Sequence, residues 1–332
     1  MAAYTTIDNP ELYFQVKLYT GNSTDDHAIT LDGSENMQPD MVWVKGRSNA
    51  GYNHNIYDAV RGANKYLRPN STAAQVTVSD ALKSFDSDGF TLDDDATNDE
   101  VNDNTITYVA WCWKESATAG FDIVSFTGNG SARNISHNLS AVPELMLIKK
   151  TSGTDAGAVY VAANGNNNGL LISESNANDD ELYWNDTTPT SSVFTLGTLS
   201  NVNQNTETYI AYVFAPKQGF SKFGTYQGNG NADGQFIYTG FTPELLWIKR
   251  SNDVANWVFK TKSSPGYNVN NNYIYGNLSN AEASGSAVDF LSNGFKWRID
   301  GANQNSSGDT FIYAAFAKAP IVNSNGVPSN AI

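Results

Sequence analysis

PDMVWVK (39–45), PELMLIK (143–149) and PELLWIK (243–249) are three versions of one heptapeptide. Each opens on proline and an acid, passes through apolar residues and closes on lysine. Proline suits the first position of a strand, where no ladder N–H is missed, and a nearly continuous apolar run suits a central strand covered on both faces. The closing Lys45, Lys149 and Lys249 are expected to mark where each strand returns to water.

The heptapeptide recurs with companions in fixed order. An aromatic strand ending in Gly-Asn precedes it (LYTGN 18–22, SFTGN 125–129, TYQGN 225–229). A short aromatic piece follows (NIYD 55–58, AVYV 158–161, WVFK 257–260), then a strand carrying Phe90, Phe194 or Phe295. An aromatic strand closes each unit (TYVAWCW 107–113, TYIAYVF 208–214, TFIYAAF 310–316). The period, about 100 residues, is too long for a solenoid repeat and suits an autonomous small domain.

These segments are short, rich in Val, Ile, Thr, Tyr, Phe and Trp, and bounded by Asn, Asp, Gly and Ser. That is the pattern of antiparallel strands, with Asp88-Gly89 and Asn293-Gly294 as hairpin turns. The stretch 71–84 is the best helix-permissive piece and lacks a clear helical stripe. The expected fold is all-β: three tandem antiparallel sandwiches of the jelly-roll or lectin-like kind, at 13–115, 120–216 and 219–318. An N-terminal arm (1–12), read as an attachment arm, and a polar tail (319–332) flank them.

Bulk composition narrows the function. A formal charge of −14 with 20 Lys and Arg leaves no basic stripe for neutralising phosphates, so nucleic acid is not an expected partner. No apolar run reaches the length of a bilayer span, and MAAYTTIDNPELYF lacks the regions of a secretion signal, so synthesis in the cytosol without membrane insertion is expected. The single cysteine, Cys112, lies in an apolar run and reads as a small buried hydrophobe. His27, His54 and His137 show no metal or triad spacing and read as loop or strand-edge residues.

The first unit resembles a known family. PDMVWVKGRS, IYDAVRGANKYLRPNSTAAQ, SFDSDGFTL and TYVAWCWK are similar, in that order, to a β-rich repeat family in structural proteins of tailed bacteriophages, especially those of marine bacteria. The resemblance covers 39–114, and the VRGANKYL segment belongs to the first unit alone. It implies a virion component of the tail-fibre, tail-spike or capsid-surface type, and carries over no enzymatic residues.

Candidate chemistry is sparse. The richest acidic stretch, FDSDGFTLDDDATNDE, offers Asp86, Asp88 and Asp93 as ligands for a loose calcium site, which Asp25 and Asp26 would join if the loops converge. An EF-hand is excluded because its glycine arrives at position 4 instead of 6. No other cofactor is expected. A carboxylate pair for glycoside hydrolysis finds no support, since the third unit puts turn residues at the equivalent positions. No G-x-S-x-G occurs, and GNGNADG (228–234) lacks the lysine of a phosphate loop.

The basic loop brings Arg61, Lys65 and Arg68 beside Tyr57 and Tyr66, as a contact surface or as a loop salt-bridged to its own acidic domain. Trp111 and Trp113 share one strand face and read as core, with a sugar-stacking platform as the alternative for an exposed face. Tyr52, Tyr267, Tyr273 and Tyr275, set among loop asparagines, are candidates for stacking on sugar rings.

The expectation is a non-enzymatic bacteriophage virion protein on the particle surface, a tail fibre, adhesin or capsid decoration assembled in the host cytoplasm. It would bind other capsid or tail proteins, with host-surface glycans as a further candidate partner. A homotrimer is compatible, and three similar domains suit either a pseudo-threefold footprint or an extended fibre. The alternative is a glycan-binding lectin or a polysaccharide-degrading spike enzyme.

Overall fold

The structure, a computed structural model, describes residues 4–97, 100–322, 325 and 327. Strands account for 41 % and helix for 3 %, so the class is all-β. The chain builds three large antiparallel sheets. In the first the order is Phe14–Thr20, Thr107–Trp113, Met41–Gly46, His54–Asp58, Lys65–Leu67 and Val76–Thr77. The second runs Phe121–Thr127, Thr208–Phe214, Leu145–Lys150, Ala158–Val161 and Leu170–Leu171. The third runs Ser221–Gln227, Thr310–Pro320, Phe241–Arg250, Val258–Thr261 and Ile274–Tyr275. In each, the Pro-acid strand lies third and pairs with the closing strand in one register: Met41 faces Trp113, Leu145 faces Phe214 and Leu245 faces Phe316.

A small sheet covers one face of each large one. These are His27–Thr30 with Gly89–Leu92 and Leu82–Asp86; Arg133–Ser136 with Val193–Leu196; and Phe236–Tyr238 with Gly294–Trp297 and Val288–Leu291. The Asp-Gly hairpin forms, with Gly89 at φ 109° directly against Ile29 O. A β-carbon there would collide with that carbonyl, so glycine is required by both torsion and space. No helix forms over 71–84. Residues 72–75 run along the neighbouring sandwich instead, and Val76–Thr77 joins the sheet.

Alternation along the Pro-acid strand divides the core. Val42, Val44 and Cys112 point into the first sandwich, as Met146, Ile148 and Val213 do in the second. The opposite faces of all three large sheets meet in one central cluster. At its middle, Trp113, Phe214 and Phe316, equivalent by register, form a triangle with ring separations of 6.4, 5.5 and 5.5 Å. Trp43 adds contacts of 5.2 and 5.3 Å to Trp247 and Phe259. This corrects the expectation of autonomous beads. Each sandwich is two layers thick, and its large sheet has a second apolar face that only the other two sandwiches cover.

The described part of the N-terminal segment does not project as an arm. Thr5 Oγ1 donates to Gln218 O (2.7 Å), Ile7 is buried, and Glu11 pairs with Lys318 (2.6 Å), so the segment straps the first unit to the third. Residues 1–3 and most of the tail lie outside the described residues. Among the described residues no helix is long and apolar enough to cross a membrane.

Candidate functional site

The lysines that close the heptapeptides do not return to water. Lys45, Lys149 and Lys249 are 0, 2 and 0 % exposed. Each ammonium is capped by carbonyl oxygens, one set belonging to a neighbouring sandwich. Lys149 donates to Thr72 O (3.2 Å), Ala73 O (3.0 Å) and Asp155 O (2.5 Å). Lys249 donates to Ser175 O (3.2 Å) and Arg250 O (2.6 Å), and Lys45 to Gly46 O (2.7 Å) and Ser279 O (3.5 Å). A buried charge is tolerable only when such oxygens replace its water. Burial still lowers each pKa to about 8.

Paired backbone hydrogen bonds accompany each lysine. Gln75 N donates to Thr151 O and Asp155 N to Thr72 O; Asn178 N to Ser251 O and Ala255 N to Ser175 O; Glu282 N to Arg47 O and Gly51 N to Ser279 O. These six bonds span 2.8 to 3.0 Å. The contacts run second to first, third to second and first to third, and so close a ring.

The basic loop supplies a seam. Arg61 has a side chain only 6 % exposed, forms an ion pair with Asp58 (2.5 Å), and donates to Ile56 O (2.8 Å) and to Tyr212 Oη of the second unit (3.1 Å). Tyr212 in turn donates to Asp58 Oδ2 (2.7 Å). Tyr57 and Tyr66 lie inside the first sandwich, their rings 5.7 Å apart, because their strands face its apolar interior. Arg68 lies over Tyr66 and pairs with Glu100 (3.4 Å), while Lys65 is half-buried at a strand start. An exposed contact surface built on Tyr57, Arg61 and Tyr66 is thus corrected: these groups are consumed in packing.

His54, read as a loop or edge residue, is fully buried between the first and third units. Its Nδ1 accepts from Trp43 Nε1 (2.9 Å), which leaves Nε2 to donate to Tyr275 O (2.9 Å). Burial lowers its pKa to about 3, so the ring is neutral.

The acidic loop is tied internally. Asp86 accepts from Ser84 Oγ and Thr91 Oγ1, both at 2.7 Å, and Asp88 accepts from Met37 N (3.3 Å). The loops of Asp25, Asp26 and Asp93 do converge, around an ammonium: Lys83 Nζ lies 2.6, 2.8 and 3.9 Å from the three carboxylates. Among the described residues no three His, Cys, Asp or Glu side chains form a group that could hold a metal ion. Asp99 lies outside the described residues.

The loop tyrosines separate. Tyr52 is half-buried across Gly46. Tyr273 and Tyr275 meet edge to face at 5.0 Å and line a cavity of about 170 Å³ with Ser286, Asn303 and Gln304. Tyr267 is 69 % exposed beside a different hollow of about 260 Å³, with Asn268 and Phe290. Sequence reasoning missed Phe236 and Tyr238, 45 and 47 % exposed, on the outer strand of the third small sheet. Their signal was present: Phe-Ile-Tyr alternates, so burying Ile237 turns both rings outward.

Three antiparallel sandwiches around one aromatic centre, fastened by buried lysines, define an all-β multi-sandwich protein. The chain belongs to the family described as a domain of unknown function, DUF7483, whose match covers residues 9–320. That span takes in all three sandwiches and their seams. No curated protein matches the chain.

Proposed function

We propose that the chain is a non-enzymatic structural protein on the surface of a bacteriophage particle, a capsid decoration or part of a tail fibre or adhesin. The observation that supports a scaffold role is the ring of lysine latches, because it places the recurring charged residue of each unit in a seam rather than at a reacting centre. A rigid body so fastened presents three outer sheets and their turns in fixed relation, which suits contact with other capsid or tail proteins. The particle location rests on the resemblance of residues 39–114 to phage structural proteins. Gold-labelled antibody against the chain is expected to decorate intact, purified particles of a phage that encodes it. Particles that lack the protein by labelling and by mass spectrometry overturn this reading.

A further inference from the structure

The outer strands of the three small sheets are equivalent by register, for Ile29, Ile135 and Ile237 are buried opposite Phe90, Phe194 and Phe295. Their outward residues differ. The first sandwich shows Ala28 and Thr30, the second Asn134 and Ser136, and the third Phe236 and Tyr238. Among the described residues the three exposed aromatic rings, Phe236, Tyr238 and Tyr267, all belong to the third sandwich. Exposing such rings sacrifices burial that the other two sandwiches do not give up, which points to a ligand-facing surface.

Beside Tyr238 lies an open groove of about 340 Å³, lined by Tyr4, Gln218, Lys222, Tyr238 and Thr239 among others. The Tyr4 and Tyr238 hydroxyls stand 3.3 Å apart. Lys222 Nζ sits 5.1 Å from the centre of the Tyr238 ring and donates to Tyr238 O (2.8 Å), which leaves two of its three N–H groups. Lys222 is the charged residue of the lining, in a chain of formal charge −14. Glu144, of the second unit, feels that lysine but does not line the groove. The groove lining therefore carries one ammonium and no carboxylate, which suits an anionic group.

We propose that this groove and the Phe236–Tyr238 face bind an acidic polysaccharide, the pyranose rings of uronic acids stacking on the aromatic side chains and a carboxylate pairing with Lys222. Two rings two positions apart on one strand face lie about 7 Å apart and offer successive stacking positions. The flat apolar side of a pyranose matches a ring face, and Gln218, Thr239 and the two tyrosine hydroxyls suit its hydroxyl groups. The ammonium–carboxylate contact selects charged over neutral sugars. The inference deepens the surface-protein reading by naming the host-side ligand.

The test is calorimetric titration of the full chain with an oligogalacturonate and with the neutral galactose oligomer of the same linkage, at low and high salt. The acidic oligomer is expected to bind, more weakly as salt rises. Tyr238→Ala is expected to weaken it about tenfold, and Lys222→Gln to abolish both the preference for acid and the salt dependence. Should Tyr238→Ala lower the melting temperature, Phe236→Ala and Lys222→Gln carry the test. Absence of binding, equal binding of the neutral oligomer, or unchanged affinity in variants that melt normally overturns the proposal. Failure here leaves the antibody labelling of particles unaffected, and particles without the protein leave the titration standing.

Discussion

The first and third sandwiches share strand order and register, yet they spend their distinctive residues in opposite ways. The first carries a basic loop of its own, and one of that loop's two arginines, Arg61, is buried in the seam with the second unit. The third carries aromatic rings where the others have Ala28, Thr30, Asn134 and Ser136, and turns them to solvent. The difference shows that a shared frame can take a new residue either as glue or as surface. Register decides which. Arg61 follows a strand whose last residue, Asp58, meets Tyr212 of the next sandwich, whereas Phe236 and Tyr238 lie on the outer strand of a three-stranded covering sheet.

The sharpest way to break that comparison is to delete one arginine from each sandwich. Arg61→Ala leaves Asp58, 0 % exposed, without its cation and removes a donor to Tyr212, so a loss of about 3–5 kcal/mol is expected in chemical denaturation. Arg298 also holds two aspartates, Asp289 (2.6 Å) and Asp233 (2.8 Å), but on the outer face of the third small sheet. Arg298→Ala is expected to cost clearly less than Arg61→Ala, because Asp233 keeps Lys296 (2.8 Å) and the Asp289 side chain is 12 % exposed where that of Asp58 is 0 %. Equal losses in the two variants would show that the basic loop is no more a seam than the outer sheet is.

Much of the frame was legible in the sequence because it is written in strand-period signals. The Pro-acid strand reads as central and covered on both faces, and every residue of Met41–Gly46 is buried. Trp111 and Trp113 read as one core face, and both point into the central cluster. The seams were not legible. A lysine after an apolar run ordinarily marks a strand end in water, and two of the three carbonyls that cap Lys149 come from residues more than seventy positions away. Nothing local distinguishes such a lysine from an exposed one. The candidate tyrosines mixed two cases for the same reason: Tyr57 and Tyr267 both sit among polar neighbours, but only the partner strand of Tyr57 closes over it.

The latches themselves set an intermediate effect, one that depends on pH. Lys45, Lys149 and Lys249 have folded-state pKa values near 8, below the ordinary 10.5 of the unfolded chain. Between these values the unfolded state binds more protons, so the desolvation cost present at neutral pH is relieved and stability rises with pH. Lys260, buried on three carbonyls with a pKa near 7, acts in the same direction. The free energy of unfolding is therefore expected to climb from pH 7.5 to about 9.5, before tyrosine ionisation begins in the unfolded chain. Lys249→Met is expected to flatten that climb. A slope that does not change in the variant would mean that the ammonium reaches water, and the seam would then be looser than the first–second seam with its buried arginine.

The smallest effect separates the acidic loop of the first sandwich from a metal site. Lys83 stands among Asp25, Asp26 and Asp93, where a divalent ion would otherwise satisfy the same carboxylates. An ammonium and a calcium ion compete for that position, so the wild-type chain is expected to show no rise in melting temperature when millimolar calcium is added. Lys83→Gln removes the competitor without adding bulk. Its carboxylates then repel one another, which costs little at physiological salt because Asp25 and Asp26 are exposed, and calcium is expected to restore the loss. A calcium-dependent rise of equal size in both proteins would place the ion elsewhere on the acidic loop and make the first sandwich, not the third, the one with a ligand on its outer face.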